Sequence, residues 1–249
     1  MQIFQPQAFS MKFGRADGMK IQILQLLEGA KKANGIAVII DVFRAFTTEC
    51  FFMANGAKEI LAVGETEAAY ALKKENPDYI LAGERNEVML SGFDYGNSPA
   101  NIEHIDFSQK TIVHTTSAGT QGIAHAGNAS EILTGSFVNA SAIAKYITQK
   151  NADVVSLVCM GKAALSPTEE DTYCAQYIKS LLCKECYPLN EKLHALRYLE
   201  GKRFFQPHNQ KQCPKRDFLL ATTPNRFSFV LKAEADKRGF HKIQKIDVF

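Results

Sequence analysis

Residues 36–43 form a nearly unbroken apolar, β-branched run, after which a helical pattern over residues 47–54 stops at Asn55-Gly56. A run that is apolar on both sides of the backbone is expected of a strand covered on both faces. The unit recurs. Residues 59–63 read as a strand, 65–75 as a helix ended by Asn76-Pro77, and 78–82 as a third strand running into Gly83-Glu84-Arg85. Past a glycine-bearing loop, strands at 111–115, 131–134 and 153–159 alternate with helices at 120–125 and 140–149, and a capping pattern at Ser166 or Thr168 opens a helix to about residue 183. This alternation predicts an α/β fold, a three-layer α/β/α sandwich around a mostly parallel, mixed sheet. From Lys184 the register changes. Residues 184–216 are basic and aromatic and are broken by Pro188, Pro207 and Pro214, which reads as a helical or loop excursion within one domain spanning 1–249. In residues 217–249, RFSFVLKAEA and KIQKIDVF alternate polar with apolar positions, as half-exposed strands that finish or edge the sheet.

Composition narrows the function classes. The chain has 249 residues, 46% of them hydrophobic, enough to bury a full core. A formal net charge of +3, dispersed along the sequence, argues against nucleic acid as the main ligand and leaves a small anion open. No stretch reaches the roughly 20 apolar residues of a membrane span, and residues 1–18 lack the basic start and apolar core of a signal peptide, so a cytoplasmic protein is expected. The six cysteines read as reduced thiols in helices and strands, not a disulfide framework.

Four polar islands stand at the ends of apolar runs: IDVFRAFTT at 40–48, GERNEVMLSGFDYGNSP at 83–99, HTTSAGTQG at 114–122 and PTEEDTYCA at 167–175. The carboxyl ends of parallel strands face one crevice, so islands recurring there are expected to build one site. Carboxylates suit a hard cation, arginine a bidentate anion, and glycine with hydroxyls a close approach of backbone N–H groups to phosphate. A metal-assisted reaction on a phosphate ester follows. Asp41 and Arg44 lie three residues apart at a strand-to-helix turn, beside the hydroxyls of Thr47 and Thr48. A capping ion pair would read the same way. The HTTSAGTQG loop has the character of an anion nest, with no P-loop or GxGxxG pattern in it. Of Glu169, Glu170 and Asp171, the helix dipole accounts for two, and Asp171 is taken as the functional one.

In this order the four islands resemble the signature blocks of the 2-phosphosulfolactate phosphatase family, the ComB-like proteins, over residues 34–182. The resemblance implies a ComB-like α/β/α sandwich and a Mg²⁺-dependent phosphatase acting on the phosphate monoester of a 2-hydroxy acid, 3-sulfolactate being released in the family's named reaction. It places Asp41, Arg44, Glu84, Arg85 and Asp171 in catalysis. Thr47, Thr48, Asn97, Ser98, Thr115, Thr116, Ser117, Gly119, Thr120 and Asn139 become the substrate-binding set, and Mg²⁺ is expected on a subset of Asp41, Glu84, Asp94 and Asp171. Two departures stand out. Phe46 replaces a small or hydroxyl residue, and residues 117–121 replace a loop that reads Asn-Gly-Thr-Arg in the family, removing one arginine. A homo-oligomer remains open. A sensor that binds a phospho-metabolite without turnover, and a Mg²⁺-dependent phosphoryl transferase or lyase on a related phospho-acid, are the alternatives. His114 reads first as a core histidine and second as a proton donor. Cys183 and Cys186 with His194, His208 and Cys213 could be assembled into a zinc site, but their spacing supports packing instead.

Overall fold

A computed structural model describes residues 14–16 and 18–249, with side chains from Gly18 onward. Most of the amino-terminal stretch weighed above as a signal peptide, residues 1–13 and 17, lies outside the described residues. The elements run β1 (Gly14–Ala16), β2 (Met19–Gln25), α1 (Leu26–Lys32), β3 (Ile36–Ile40), α2 (Ala45–Ala54), β4 (Glu59–Ala62), α3 (Thr66–Glu75), β5 (Ile80–Arg85) and β6 (Val88–Met89). Next come α4 (Pro99–Ile102), β7 (Thr111–Thr115), α5 (Gly119–His125), β8 (Glu131–Gly135), α6 (Ala140–Gln149), β9 (Val154–Cys159) and α7 (Glu169–Cys183). The chain finishes with α8 (Leu189–Leu196), α9 (Lys215–Ala221), β10 (Phe229–Ala235) and β11 (His241–Asp247).

The expected α/β alternation is present, and among the described residues it forms an eleven-stranded sheet of order β1-β2-β9-β3-β8-β10-β11-β4-β7-β5-β6. Strands β2, β9, β3 and β8 form one parallel block, and β4, β7 and β5 a second. The expectation that the last two strands finish or edge the sheet is corrected here. The β10–β11 hairpin sits between the blocks, β10 antiparallel to β8 and β11 antiparallel to β4. Its alternating pattern has another cause: on β11 only Ile243 is buried, while Gln244, Lys245 and Asp247 are exposed. Alternation therefore marks a strand face open to water, not a place at the rim. Residues 18–33, to which the sequence pattern assigns no element, carry β2 and α1.

Strand β3 shows why its sequence is apolar throughout. Ala37 and Ile39 pack into one core with Ala45, Phe46, Cys50 and Phe52 of α2 and Ile123 of α5, whereas Ile36, Val38 and Ile40 pack into another with Ile143 and Ile147 of α6 and Ile178 of α7. The sheet is thus the middle of three layers. A third cluster, including Leu61, Leu72, Leu81, Phe93 and Val113, serves the second parallel block. Among the described residues no helix is long and apolar enough to cross a membrane.

Candidate active site

The carboxyl ends of β3, β5 and β9 and the loop after β7 open on one cleft of about 230 Å³. It is lined by Asp41 and Arg44 after β3, Glu84 on β5, Ser117 after β7, Glu170 at the start of α7, and Asn97. Arg203 comes from the excursion.

The acids do more than face the cleft. Asp41 Oδ1 accepts the Ala45 N–H at 3.2 Å, tying the carboxylate to the start of α2, and the Gly119 N–H at the start of α5 is directed at it as well. Asp171 receives the Val42 N–H at 2.9 Å on one oxygen and the Gly161 N–H at 2.8 Å on the other, joining the loops after β3 and β9. Glu84 accepts the Ser117 N–H at 2.7 Å and the Glu87 N–H at 2.6 Å, joining the β5–β6 turn to the β7–α5 loop. Each carboxylate is a clamp between segments distant in sequence. Gly119 is required where two of them meet, because a Cβ there would lie 2.8 Å from Phe46 Cζ and 3.0 Å from Asp41 Oδ2. Phe46, the first departure from the family pattern, is fully buried against this turn.

Packing anions together has an electrostatic consequence. Burial, reinforced by the charges of Asp171 and Glu84, pushes Asp41 well above the ordinary carboxylate range, against the pull of the Ala45 and Gly119 N–H groups. Asp171 is raised by burial and by Glu170. Burial pushes Glu170 up to about 8, with the Arg203 charge acting in the opposite direction.

The arginines divide. Arg44 lines the cleft with its guanidinium tethered from behind: Nη1 donates to Asp217 Oδ2 at 2.6 Å and to the Gln212 carbonyl at 2.8 Å. Asp217 on α9 also accepts the Ser98 hydroxyl at 2.8 Å and the Ala100 N–H at 2.9 Å. Arg85 spends its donors on the Glu84 and Gly64 carbonyls and on Thr115 Oγ1, each at 2.8 Å, and does not line the cleft. Arg203 lies against Phe43 and Phe204, pairs with Glu87 at 3.3 Å, and keeps a buried Nε–H without a partner. Gln121, at the second departure, donates to the Gly64 carbonyl at 2.9 Å and stands outside the lining.

The hydroxyls expected to bind substrate mostly serve the scaffold. Thr47 bonds the Val42 carbonyl and Ser136, Thr48 the Arg44 carbonyl, and Thr116 and Thr120 each other. Asn139 closes a capping box with Ser136. Asp94 accepts the Leu81 N–H at 2.8 Å, pairs with Lys73 at 3.5 Å, and is not in the lining. Of the predicted residues the cleft gathers Asp41, Arg44, Glu84, Asn97 and Ser117, with Asp171 directly linked to its walls.

Sequence reasoning passed over Glu170, Arg203, Asp217 and Glu49. Glu49 carried a legible signal, being a lone carboxylate in the helix AFTTECFFMA among Cys50, Phe51, Phe52 and Met53. Arg203 carried none.

Fold and cleft together define an α/β protein whose cleft at the carboxyl ends of its strands gathers acids and arginines. The sequence pattern of the 2-phosphosulpholactate phosphatase family matches residues 21–212, and the chain belongs to that family. A Bacillus subtilis protein named "Probable 2-phosphosulfolactate phosphatase" is 31% identical over 224 residues, covering 88% of this chain and 95% of its own length. Proteins of the same name from Carboxydothermus hydrogenoformans and Caldicellulosiruptor saccharolyticus are each 38% identical, over 67% and 59% of this chain and 69% and 62% of their own lengths.

Proposed function

We propose that this chain is a Mg²⁺-dependent phosphatase that hydrolyses the phosphate monoester of a 2-hydroxy acid, with 2-phosphosulfolactate, the ester in its relatives' names, as substrate. The observation that carries the reading is the meeting of the buried Asp41, Glu84 and Glu170 side chains with Arg44 and Arg203 in one cleft. A purely anion-binding site gains nothing from acids beside its ligand, whereas a cation received among them relieves their mutual repulsion.

The donor set fits Mg²⁺ in kind. It is all oxygen, carried by the Asp41 and Glu84 side chains that line one cleft. Among the described residues no three acid, histidine or cysteine side chains close into a cage. That arrangement suits an ion that keeps its waters and takes one or two carboxylates plus substrate phosphate. Asp41 and Glu84 would hold it, and when bound it would neutralise charge on the phosphate oxygens. Arg44, fixed by Asp217, faces the phosphoryl group. Arg203, with Lys162 near it on the same Glu87 carboxylate, meets the acid group at the other end of the substrate, the role for which the 117–121 loop lacks an arginine. Glu170, protonated at neutral pH, holds a proton for the departing alkoxide. Asp41 drives the attack on phosphorus, directly or through a water.

Inorganic phosphate release from a panel of 2-phospho-hydroxy acids, with Mg²⁺ and with EDTA, tests this. Release selective for 2-phosphosulfolactate and lost in EDTA is expected, and Asp41→Ala should lower kcat on the order of a thousandfold with the fold retained. Binding of an ester without release would replace the phosphatase by a sensor.

A further inference from the structure

Behind the cleft wall lies a buried polar chain that none of the roles above uses. His114 on β7 and Glu49 on α2 are fully buried, and neither lines the cleft. His114 Nδ1 is 2.8 Å from Glu49 Oε1, its Nε2 is 2.7 Å from Asn97 Oδ1, and the Thr134 hydroxyl donates to Glu49 Oε2 at 3.2 Å. Asn97 is the member that reaches the cleft. Burying a carboxylate and an imidazole in the core is costly unless every hydrogen bond is made, and here the chain is complete from β8 to the cleft.

The two edges of a carboxamide are chemically opposite, one accepting and one donating. Because a carbonyl oxygen only accepts, the imidazole donates from Nε2 to Asn97 Oδ1, while Nδ1 shares a hydrogen with Glu49. With its oxygen occupied, Asn97 offers its NH₂ edge to the cleft, the edge an anion needs in a site otherwise crowded with carboxylates. We propose that His114, steadied by Glu49, is a positioning residue that turns the Asn97 amide so that its N–H donors face the phosphate oxygens of the substrate. The proposal rests on the phosphatase reading for its ligand. A histidine that merely fills the core would satisfy the same distances but would not couple to Asn97 in function.

Three readouts separate these. In ¹⁵N-histidine NMR of the wild-type protein, His114 should carry its hydrogen on Nε2; a bare Nε2 would mean that Asn97 shows the cleft its oxygen, and would overturn the proposal. In phosphate release from 2-phosphosulfolactate with Mg²⁺, and in calorimetric binding of inorganic phosphate, His114→Leu should lower kcat/KM and phosphate affinity roughly ten- to hundredfold, the scale of one hydrogen bond to a charged group. Glu49→Gln, which keeps the volume should His114→Leu fail to fold, should produce a smaller loss in the same direction. The double variant with Asn97→Ala should be no worse than Asn97→Ala alone, since His114 acts through that amide. Wild-type values in Glu49→Gln and His114→Leu, or losses that multiply with that of Asn97→Ala, would refute the positioning role. A wild-type protein that binds phosphate yet hydrolyses no ester would fail the phosphatase reading alone, and the affinity and NMR arms would still decide this one.

Discussion

Glu170 is held as a neutral acid because the fold removes it from water faster than Arg203 compensates. The sign of the linked stability follows. With a folded pKa raised from 4.5 to about 8, the contribution is fully present below about pH 4.5 and is lost as pH rises through about 8. Glu170→Gln keeps the shape without the charge. Its melting temperature relative to wild type should therefore rise between pH 5 and pH 9, and calorimetric scans giving the same gap at both ends would show that the carboxyl is not raised. At this scale Asp41 and Glu84 were legible because each ends a strand beside an arginine. Glu170 was not, since it and Asp171 are adjacent acids in the same first helical turn, and only the packing of α7 decides which side chain lines the cleft and which ties down Val42 and Gly161.

At the scale of elements, the contact between the β3–α2 turn and α9 decides how Arg44 is presented. The Arg44–Asp217 pair is almost wholly excluded from water, at 5% and 0% side-chain exposure, and Asp217 is further satisfied by Ser98 and by the Ala100 N–H at the start of α4. Removing one partner of such a pair strands a buried charge. Arg44→Ala should cost about 3–5 kcal/mol of unfolding free energy in urea titration as well as activity; a loss under 1 kcal/mol would show the pair to be dispensable to the fold. The sequence shows Asp41 and Arg44 three residues apart and invites pairing them with each other. The true partner lies 173 positions away, one residue past the basic, proline-broken segment, where no periodicity could be read. The strands from residue 36 to 159 could be read because helices cover them on both faces, and their apolar runs record it.

For the whole molecule, the governing fact is that two parallel blocks are bridged within the sheet by one hairpin. β10 supplies Phe229, Val230, Leu231 and Ala233 to the buried interior, and β11 joins the hairpin to β4 and so to the second block. A chain ending at residue 226 should thus lose cooperative unfolding, not merely a margin of stability. Circular dichroism melts would check this, and a truncated chain that still melts sharply near the full-length temperature would assign the hairpin a minor part.

The cleft draws Asp41 from one block and Glu84 from the other. During synthesis, residues 229–247 emerge after the other described strands, so until they do the chain leaves β8 and β4 as two open rims able to recruit a neighbour's strand. Catalytic competence arrives late and all at once, and a message truncated near its end would yield an aggregation-prone product, not a weak enzyme.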